Sequence, residues 1–334
     1  AAGKSTAVPL ALLEHFSGKI LMLEPRRLAT IAIASRIAAL LGENVGESAG
    51  YRMHGENKTG KSTRLEVITQ AILTRMLQSD PSLEGVSVVV IDEFHERSIH
   101  ADLALAFLKE SMILREDLFV IVMSATIETT SLSAYLENAS VFAVKGRQFP
   151  VEIEYKPNTS VSRAVKDELF ANTDRTILAF LPGLREILKA KDELSDTDAE
   201  ILVLHSSISS EEQKKVLTPA KSGTQRVILS SAIAETSLTV PDVTIVIDSG
   251  LSRTVKMNPA TGMEYLITER ESVFSAEQRA GRAGRVREGR CVRLWAQNDV
   301  RHAEQSAEIE RADLLSLVLE CAQWGALDIA ALDW

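Results

Sequence analysis

The sequence predicts an α/β fold built twice over: two tandem halves, each a parallel sheet flanked by helices. Three observations carry that prediction. Short apolar runs recur, among them "KILMLE" (Lys19–Glu24), "LEVIT" (Leu65–Thr69), "SVVVID" (Ser87–Asp92) and "FVIVMS" (Phe119–Ser124). Unbroken runs of this kind mark strands buried on both faces, as in a parallel sheet. Helical stretches separate them, such as "RRLATIAIASRIAALL" (Arg26–Leu41) and "ADLALAFLKESM" (Ala101–Met112), which is the alternation of a doubly wound sheet. The rhythm breaks at "VKGRQFPVEIEYKPNTS" (Val144–Ser160), where Gly146, Pro150 and Pro157 fall, and then resumes.

The second series of strands reads "TILAFL" (Thr176–Leu181), "EILVLH" (Glu200–His205), "RVILSS" (Arg226–Ser231), "TIVIDS" (Thr244–Ser249) and "RCVRLW" (Arg290–Trp295). Between the last two, "NPATG" (Asn258–Gly262) has the Pro and Gly of a hairpin turn. "AEIERADLLSLVLECAQWG" (Ala307–Gly325) is helical by periodicity and reads as the entrance to a further domain. The expected division is residues 1–146, 147–300 and an incomplete third part at 301–334.

Composition narrows the function. Of 334 residues, 45% are hydrophobic and 25% charged, the balance of a globular protein. No apolar run is long enough to cross a membrane. The net charge of −9 means that any nucleic-acid site is a local basic groove on an acidic body. Two cysteines, Cys291 and Cys321, argue against a disulfide framework and point to a reducing, cytoplasmic setting. The six histidines lack ligand spacing, so no structural metal is expected.

The residues that carry chemistry begin at once. "AAGKST" (Ala1–Thr6) matches the back half of the phosphate-binding pattern G-x-x-x-x-G-K-[ST]. In such a loop backbone N–H groups cradle phosphate, the Lys reaches the β/γ-phosphates and the hydroxyl holds Mg²⁺. Those roles fall to Gly3, Lys4 and Ser5, with Thr6 opening a helix. The first glycine of the pattern and the strand before it do not occur in the chain. The chain is therefore expected to be a fragment that binds nucleotide poorly or not at all. "VVVIDEFHERS" places Asp92 and Glu93 directly after a buried strand, where an open α/β sheet exposes its ligand crevice. Asp92 suits a Mg²⁺ ligand and Glu93 a base that orients and deprotonates water; alone, the pair would equally suit a helix cap. "QRAGRAGR" (Gln278–Arg285) spaces Arg279, Arg282 and Arg285 three apart, on one face if the segment is helical. Such arginines can neutralise charge on a transferring phosphoryl group.

Taken in order, Lys4–Thr6, "LEPRRLA", "DEFH", "SAT", "ILAFLPGLREI", "AETSLTVP" and "QRAGRAGR" resemble the motif series of superfamily 2 helicases of the DEAH/DExH type. "DEFHERS" and "LLSLVLECAQWG" extend the resemblance to bacterial HrpB-type ATP-dependent RNA helicases. It covers essentially the whole chain. The resemblance implies two RecA-like domains with nucleotide between them, the start of a C-terminal helical or winged-helix domain, and a single strand lying across the top. Gly3, Lys4, Ser5, Thr6, Asp92, Glu93 and His95 would form the nucleotide site of the first domain. Gln278, Arg282 and Arg285 would complete it from the second. Ser124 and Thr126 would link hydrolysis to strand separation.

Strand contacts are expected at Arg26, Arg27, Thr69 and Arg75 in the first domain and at Gly183 and Thr236 in the second. A hairpin over Val255–Ile267 matches one that the family uses at strand separation. Two departures stand out: "TQA" (Thr69–Ala71) replaces the family's T-[DE]-G, and Phe94 replaces the alanine of DEAH. Aromatic residues are only 5%, so backbone grip rather than base stacking is expected. The expected activity is ATP- (or NTP-) and Mg²⁺-dependent translocation and unwinding by a monomer, with RNA the expected strand, DNA the other option, and no membrane. The alternative is a nucleotide-gated clamp on single strands that unwinds little or nothing.

Overall fold

Parallel strands need crossovers, and the alternation in the sequence supplies a helix for most of them. The structure, a computed structural model, describes residues 3–125, 129–144, 146, 149–171, 175–221, 223–235, 240–258 and 260–334. Two compact units result, one from residues 3–144 with 306–334, the other from residues 146–305.

The first unit runs α1 (Lys4–His15), β1 (Lys19–Glu24), α2 (Arg27–Leu41), β2 (Ala49–Met53), β3 (Glu56–Lys58), β4 (Leu65–Thr69), α3 (Gln70–Ser79), β5 (Val86–Ile91), α4 (Ile99–Leu114), β6 (Phe119–Val122) and α5 (Thr129–Tyr135). Its sheet has the order β3-β2-β4-β1-β5-β6. Only β2 and β3 pair antiparallel. Strand β1 shows why an unbroken apolar run is needed. Ile20 and Met22 join Ile33, Ala34 and Ile37 of α2 in one core. Leu21 and Leu23, pointing the other way, join Leu73 and Leu77 of α3 and Leu103 and Phe107 of α4. Helix α4 is capped by Ser98, whose hydroxyl accepts from the Ala101 N–H.

The second unit runs β7 (Val151–Tyr155), α6 (Val161–Ala171), β8 (Thr176–Phe180), α7 (Leu184–Glu193), β9 (Glu200–Leu204), α8 (Ser210–Val216), β10 (Arg226–Ser230), β11 (Val243–Asp248), β12 (Leu251–Asn258), β13 (Met263–Arg270), α9 (Val273–Ala280) and β14 (Gly289–Arg293). Six strands form a parallel sheet in the order β7-β14-β11-β8-β10-β9. Ile177 and Ala179 of central β8 pack with Val165 of α6 and Ile187 of α7. β12 and β13 make the hairpin, in register from Leu251 opposite Arg270 to Asn258 opposite Met263.

Two details differ from the sequence reading. The supposed break at Val144–Ser160 contains β7, paired parallel to β14. Its alternating V-E-I-E-Y pattern, with a proline on either side, is that of a half-exposed edge strand, not of a buried one. The three arginines of "QRAGRAGR" do not share a helix face, because α9 stops at Ala280 and Arg282 and Arg285 lie in the turns that follow.

The last residues pack on the core of the first unit. In α10 (Leu315–Trp324), Leu317 and Cys321 are buried with Leu73 and Leu77. Trp324 stacks on Phe107 at a centroid distance of 4.3 Å and an interplanar angle of 12°, and its indole N–H bonds the Glu110 carboxylate. Gln78 of α3 donates to the Glu320 carbonyl at 3.1 Å.

The turn carrying Arg282 and Arg285 is pinned by a close approach at Gly289. A Cβ there would lie 2.4 Å from the Ala283 carbonyl oxygen, a backbone atom with no side-chain freedom to yield. Gly289→Ala is expected to destabilise the second unit by about 2 kcal/mol. The urea midpoint of the transition that exposes Trp295 measures this; an unchanged midpoint would show that the turn relaxes freely.

Candidate functional site

In the first sheet the strand register brings the carboxyl ends together: Glu24 lies opposite Thr69, Leu23 opposite Ile91, and Ile91 opposite Val122. The residues after those ends are Arg26 and Arg27, Thr69 itself, Asp92 with Glu93, and Ser124. Separate motifs thus meet on one edge, where open α/β sheets bind ligands.

Helix α1 starts at Gly3, in the left-handed region at φ 69°, which glycine enters without penalty. Its carbonyl accepts from the N–H groups of Thr6 at 3.1 Å and Ala7 at 2.8 Å and from the Thr6 hydroxyl at 3.1 Å. The Lys4 ammonium donates to the Ser124 carbonyl, so the helix start is tied to the end of β6.

Asp92 is 3% exposed. Its Oδ1 accepts from the Glu93 N–H at 2.9 Å. Its Oδ2 has no hydrogen-bond partner among the described residues. Burial, with the Glu93 carboxylate beside it, pushes its pKa up to about 6, against the pull of the Ser5 hydroxyl, the Glu93 N–H and the Lys4 charge. A buried carboxylate oxygen without a partner, next to a hydroxyl, fits a divalent cation. Among the described residues no three His, Cys, Asp or Glu side chains cluster as a ready cage. Mg²⁺ does not need one, since it commonly takes one or two protein oxygens and completes its shell with water and phosphate.

Glu93 is itself left-handed, at φ 52°. Its Oε2 lies 3.4 Å from His95 Nδ1, and the Ala125 N–H points at the same nitrogen from 3.5 Å. One nitrogen serves one of these at a time: with the proton on Nδ1 it donates to Glu93, and with the proton on Nε2 it accepts from the Ala125 N–H. Thr126 lies outside the described residues.

Of the expected strand contacts, Arg26 precedes α2 and reaches the Glu96 carboxylate at 3.2 Å. Arg27 donates to the His54 carbonyl at 2.7 Å, and its side chain is largely exposed. Thr69 stands at the start of α3 without a side-chain cap bond. Arg75 is exposed further along that helix.

In the second sheet, Phe180 lies opposite both Ser230 and Asp248. Gly183 opens α7 just beyond. A Cβ on Gly183 would meet the Arg253 Nη1 at 2.5 Å. That guanidinium pairs with both Glu186 carboxylate oxygens, at 3.1 and 3.2 Å. Burial first, and then the Arg253 charge, lowers the His205 pKa. Arg253 was missed in the sequence because a lone basic residue in "LSRTVK" has no motif spacing; only the fold sets it against Gly183. Thr236 lies outside the described residues.

The "QRAGRAGR" arginines separate by environment. Arg279 is 1% exposed and donates to Glu235 and Asp248, at 2.9 Å each, with Glu271 as a further ion partner. Burial, and then the Asp248 charge, raise the Glu271 carboxyl well above its usual range, against the pull of the Arg279 charge. Arg279 is thus an internal strut. The Arg282 guanidinium bonds the Glu235 carbonyl and is 4% exposed, while Gln278 and Arg285 are partly exposed.

Known proteins resemble this chain along its length. Residues 1–134 match the family model described as DEAD/DEAH box helicase, and residues 160–287 match that of the helicase conserved C-terminal domain. The chain is 42% identical to the ATP-dependent RNA helicase HrpB of Escherichia coli strain K12, over 100% of this chain and 43% of that protein. It is 37% identical to the ATP-dependent RNA helicase HrpA of Borreliella burgdorferi, over 99% of this chain and 42% of that protein. The crystal structure of Escherichia coli DEAH/RHA helicase HrpB superposes with a TM-score of 0.93 at 42% identity, covering 100% of this chain and 44% of that one. The chain thus spans less than half the length of these relatives.

The raised Asp92 pKa has a consequence for stability without metal. The folded state holds this proton more tightly than the unfolded chain, whose carboxyl has the ordinary value of 3.8. Stability from this group is therefore full below pH ~4 and falls as pH rises to ~6. Asp92→Asn, which carries no charge, is expected to be more stable than the parent by up to about 3 kcal/mol at pH 7, and by little at pH 4. Urea midpoints across that range test it, and a difference independent of pH would refute it.

Proposed function

We propose that this chain, which belongs to the DEAD/DEAH box helicases, carries the NTP-hydrolysing motor of an enzyme that moves along and unwinds nucleic acid, with RNA the expected strand. The observation that carries the reading is the gathering of Lys4, Asp92, Glu93 and Ser124 at one sheet edge, with the buried Asp92 Oδ2 unpartnered. RNA is preferred because the HrpB and HrpA relatives are named ATP-dependent RNA helicases.

In this reading the left-handed turn at Gly3 presents the first N–H groups of α1 to phosphate oxygens. Lys4 exchanges the Ser124 carbonyl for the β/γ-phosphates, which frees the turn after β6. Ser5 and Asp92 would hold Mg²⁺, which would supply positive charge to offset that of the phosphates. With its pKa at about 6, Asp92 is mostly ionised at pH 7 and ready for that role. Glu93 orients the attacking water and takes its proton, and His95 steadies the Glu93 carboxylate. Arg282 and Arg285 offset the charge that grows on the transferring phosphoryl group, with Gln278 beside them in sequence to hold the water or phosphate. Arg26, Arg27, Thr69, Arg75, Gly183 and Thr236 grip the sugar–phosphate backbone, and Ser124 and Thr126 relay hydrolysis to that grip.

No helix among the described residues is long and apolar enough to cross a membrane. Both cysteines are buried and unbridged; on this reading the protein works as a monomer in the cytoplasm.

The test is steady-state ATP hydrolysis with Mg²⁺, with and without single-stranded RNA. It uses this chain and the same chain extended to the length of its relatives. The extended protein is expected to hydrolyse ATP faster with RNA. Lys4→Ala should abolish this, and Glu93→Gln should lower kcat at least ~100-fold with nucleotide binding retained. No hydrolysis with RNA or DNA present would overturn the motor reading. Hydrolysis without duplex unwinding would favour a nucleotide-gated clamp.

A further inference from the structure

The turn that carries Glu93 is bracketed by two left-handed residues that are not glycine, Glu93 at φ 52° and Arg97 at φ 46°, with Phe94–Glu96 between them. Left-handed backbone is unfavourable for both residues, so contacts from their surroundings must hold them there. The front end is fixed by the sheet: the Asp92 N–H donates to the Leu23 carbonyl and the Phe94 N–H to the Met123 carbonyl, each at 3.1 Å. What fixes the far end comes from more than two hundred positions later in the chain. The Glu308 N–H donates to the Arg97 carbonyl at 2.9 Å. The Ile99 N–H donates to the Glu308 carboxylate, also at 2.9 Å. Glu308 thus grips both sides of Ser98, its N–H fixing the direction of the Arg97 carbonyl and its side-chain oxygen accepting from an N–H that α4 itself leaves unpaired at its amino end. Glu308 is anchored in its turn: Ala307 is buried, and Ile309 packs into the core that holds α10.

We propose that Glu308 is a positioning residue for the hydrolytic reaction. It rests on the reading above that Glu93 activates water. Glu308 touches neither nucleotide nor water. It holds the carboxyl-terminal end of the strained turn, so that the Glu93 carboxylate stays where the water is to be oriented. The role depends on the acceptor oxygen and not on the charge, so glutamine can fill it and alanine cannot.

The experiment compares Glu308→Ala, Glu308→Gln and, as a neighbouring control, the exposed Glu310→Ala. Amide exchange is read on this chain and ATP turnover on the extended protein. Glu308→Ala is expected to speed exchange at Ile99 and over Phe94–Arg97 about tenfold, with the rest of α4 protected. It should lower kcat about tenfold while leaving the KM for ATP within about twofold, since transition-state geometry and not ground-state binding is lost. Glu308→Gln and Glu310→Ala should match the parent in both. Global loss of protection in Glu308→Ala would mark an unfolded variant, and the proposal then stands only if Glu308→Gln is protected while Glu308→Asp, one methylene too short, exchanges fast at Ile99 and turns over slowly. Parental exchange and turnover in Glu308→Ala would overturn the proposal while leaving the motor reading intact. An extended parent that hydrolyses nothing would instead sink the motor reading, and the catalytic role of Glu308 with it.

Discussion

The first unit depends on holding a strained turn at the end of a buried strand. β5 is apolar and has a strand on either side, so its carboxyl end has almost no freedom, and Asp92 leaves it already buried. The chain must then reverse within a few residues to start α4, and it does so through left-handed Glu93 and Arg97. A glycine at either site would relieve the strain but lose a side chain: on the proposed reading Glu93 supplies the carboxylate that orients water, and Arg97 makes a bidentate pair with Asp102 at 3.0 and 3.2 Å. The surroundings therefore supply the constraint, through Met123 just past the end of β6, Glu96 paired with Arg26, Ser98 bonded to Gln70, and Glu308. Strain kept at a site and held from several sides is how a carboxylate is preorganised before any ligand arrives.

The second unit solves a related problem with charge. Arg279 lies in the interior with Asp248, Glu235 and Glu271 around its guanidinium and the Phe180 ring 5.0 Å from it. Burial and the neighbouring Asp248 and Glu235 carboxylates raise the Glu271 pKa, while the Arg279 charge pulls it down. Glu235 then serves twice, its carboxylate held by Arg279 and its carbonyl accepting from Arg282. The buried arginine fixes the residue that places the next arginine. Equal spacing in sequence thus produced unequal roles, because α9 ends between the two.

Much of this was legible in the residues. β1 and β4 have the bounds that their apolar runs suggested, and most other runs mark strands to within a residue or two, because burial on both faces demands unbroken hydrophobicity. "GKST" and "DE" stood out in the sequence as one candidate site, and the fold brings the two to one edge. Three things were not. β7 lacks an apolar run because its place at the sheet edge leaves its side chains half-buried or exposed. Arg253 gains its meaning from the missing side chain of Gly183, two turns of topology away. Glu308 acts on a loop far back in the sequence, and no local pattern marks an acid whose partner is the amino end of another helix.

Charge places a limit on how this molecule can meet a nucleic acid. The chain carries −9 overall, so at long range its field opposes a polyanion. At short range three basic side chains near the two sheet edges already have acids beside them: Arg26 has Glu96, Arg27 is near Glu56, and Arg253 has Glu186. On the proposed reading, a backbone phosphate arriving at any of them exchanges one anionic partner for another instead of filling an open positive site. The gain per contact is then a difference between two similar terms, small for each residue, and affinity has to come from many such exchanges made together. Such a grip is easily reset, since each carboxylate stands ready to take its arginine back. That suits a protein whose task is to hold a strand and let it go once per turnover, and it would serve a permanent binder badly.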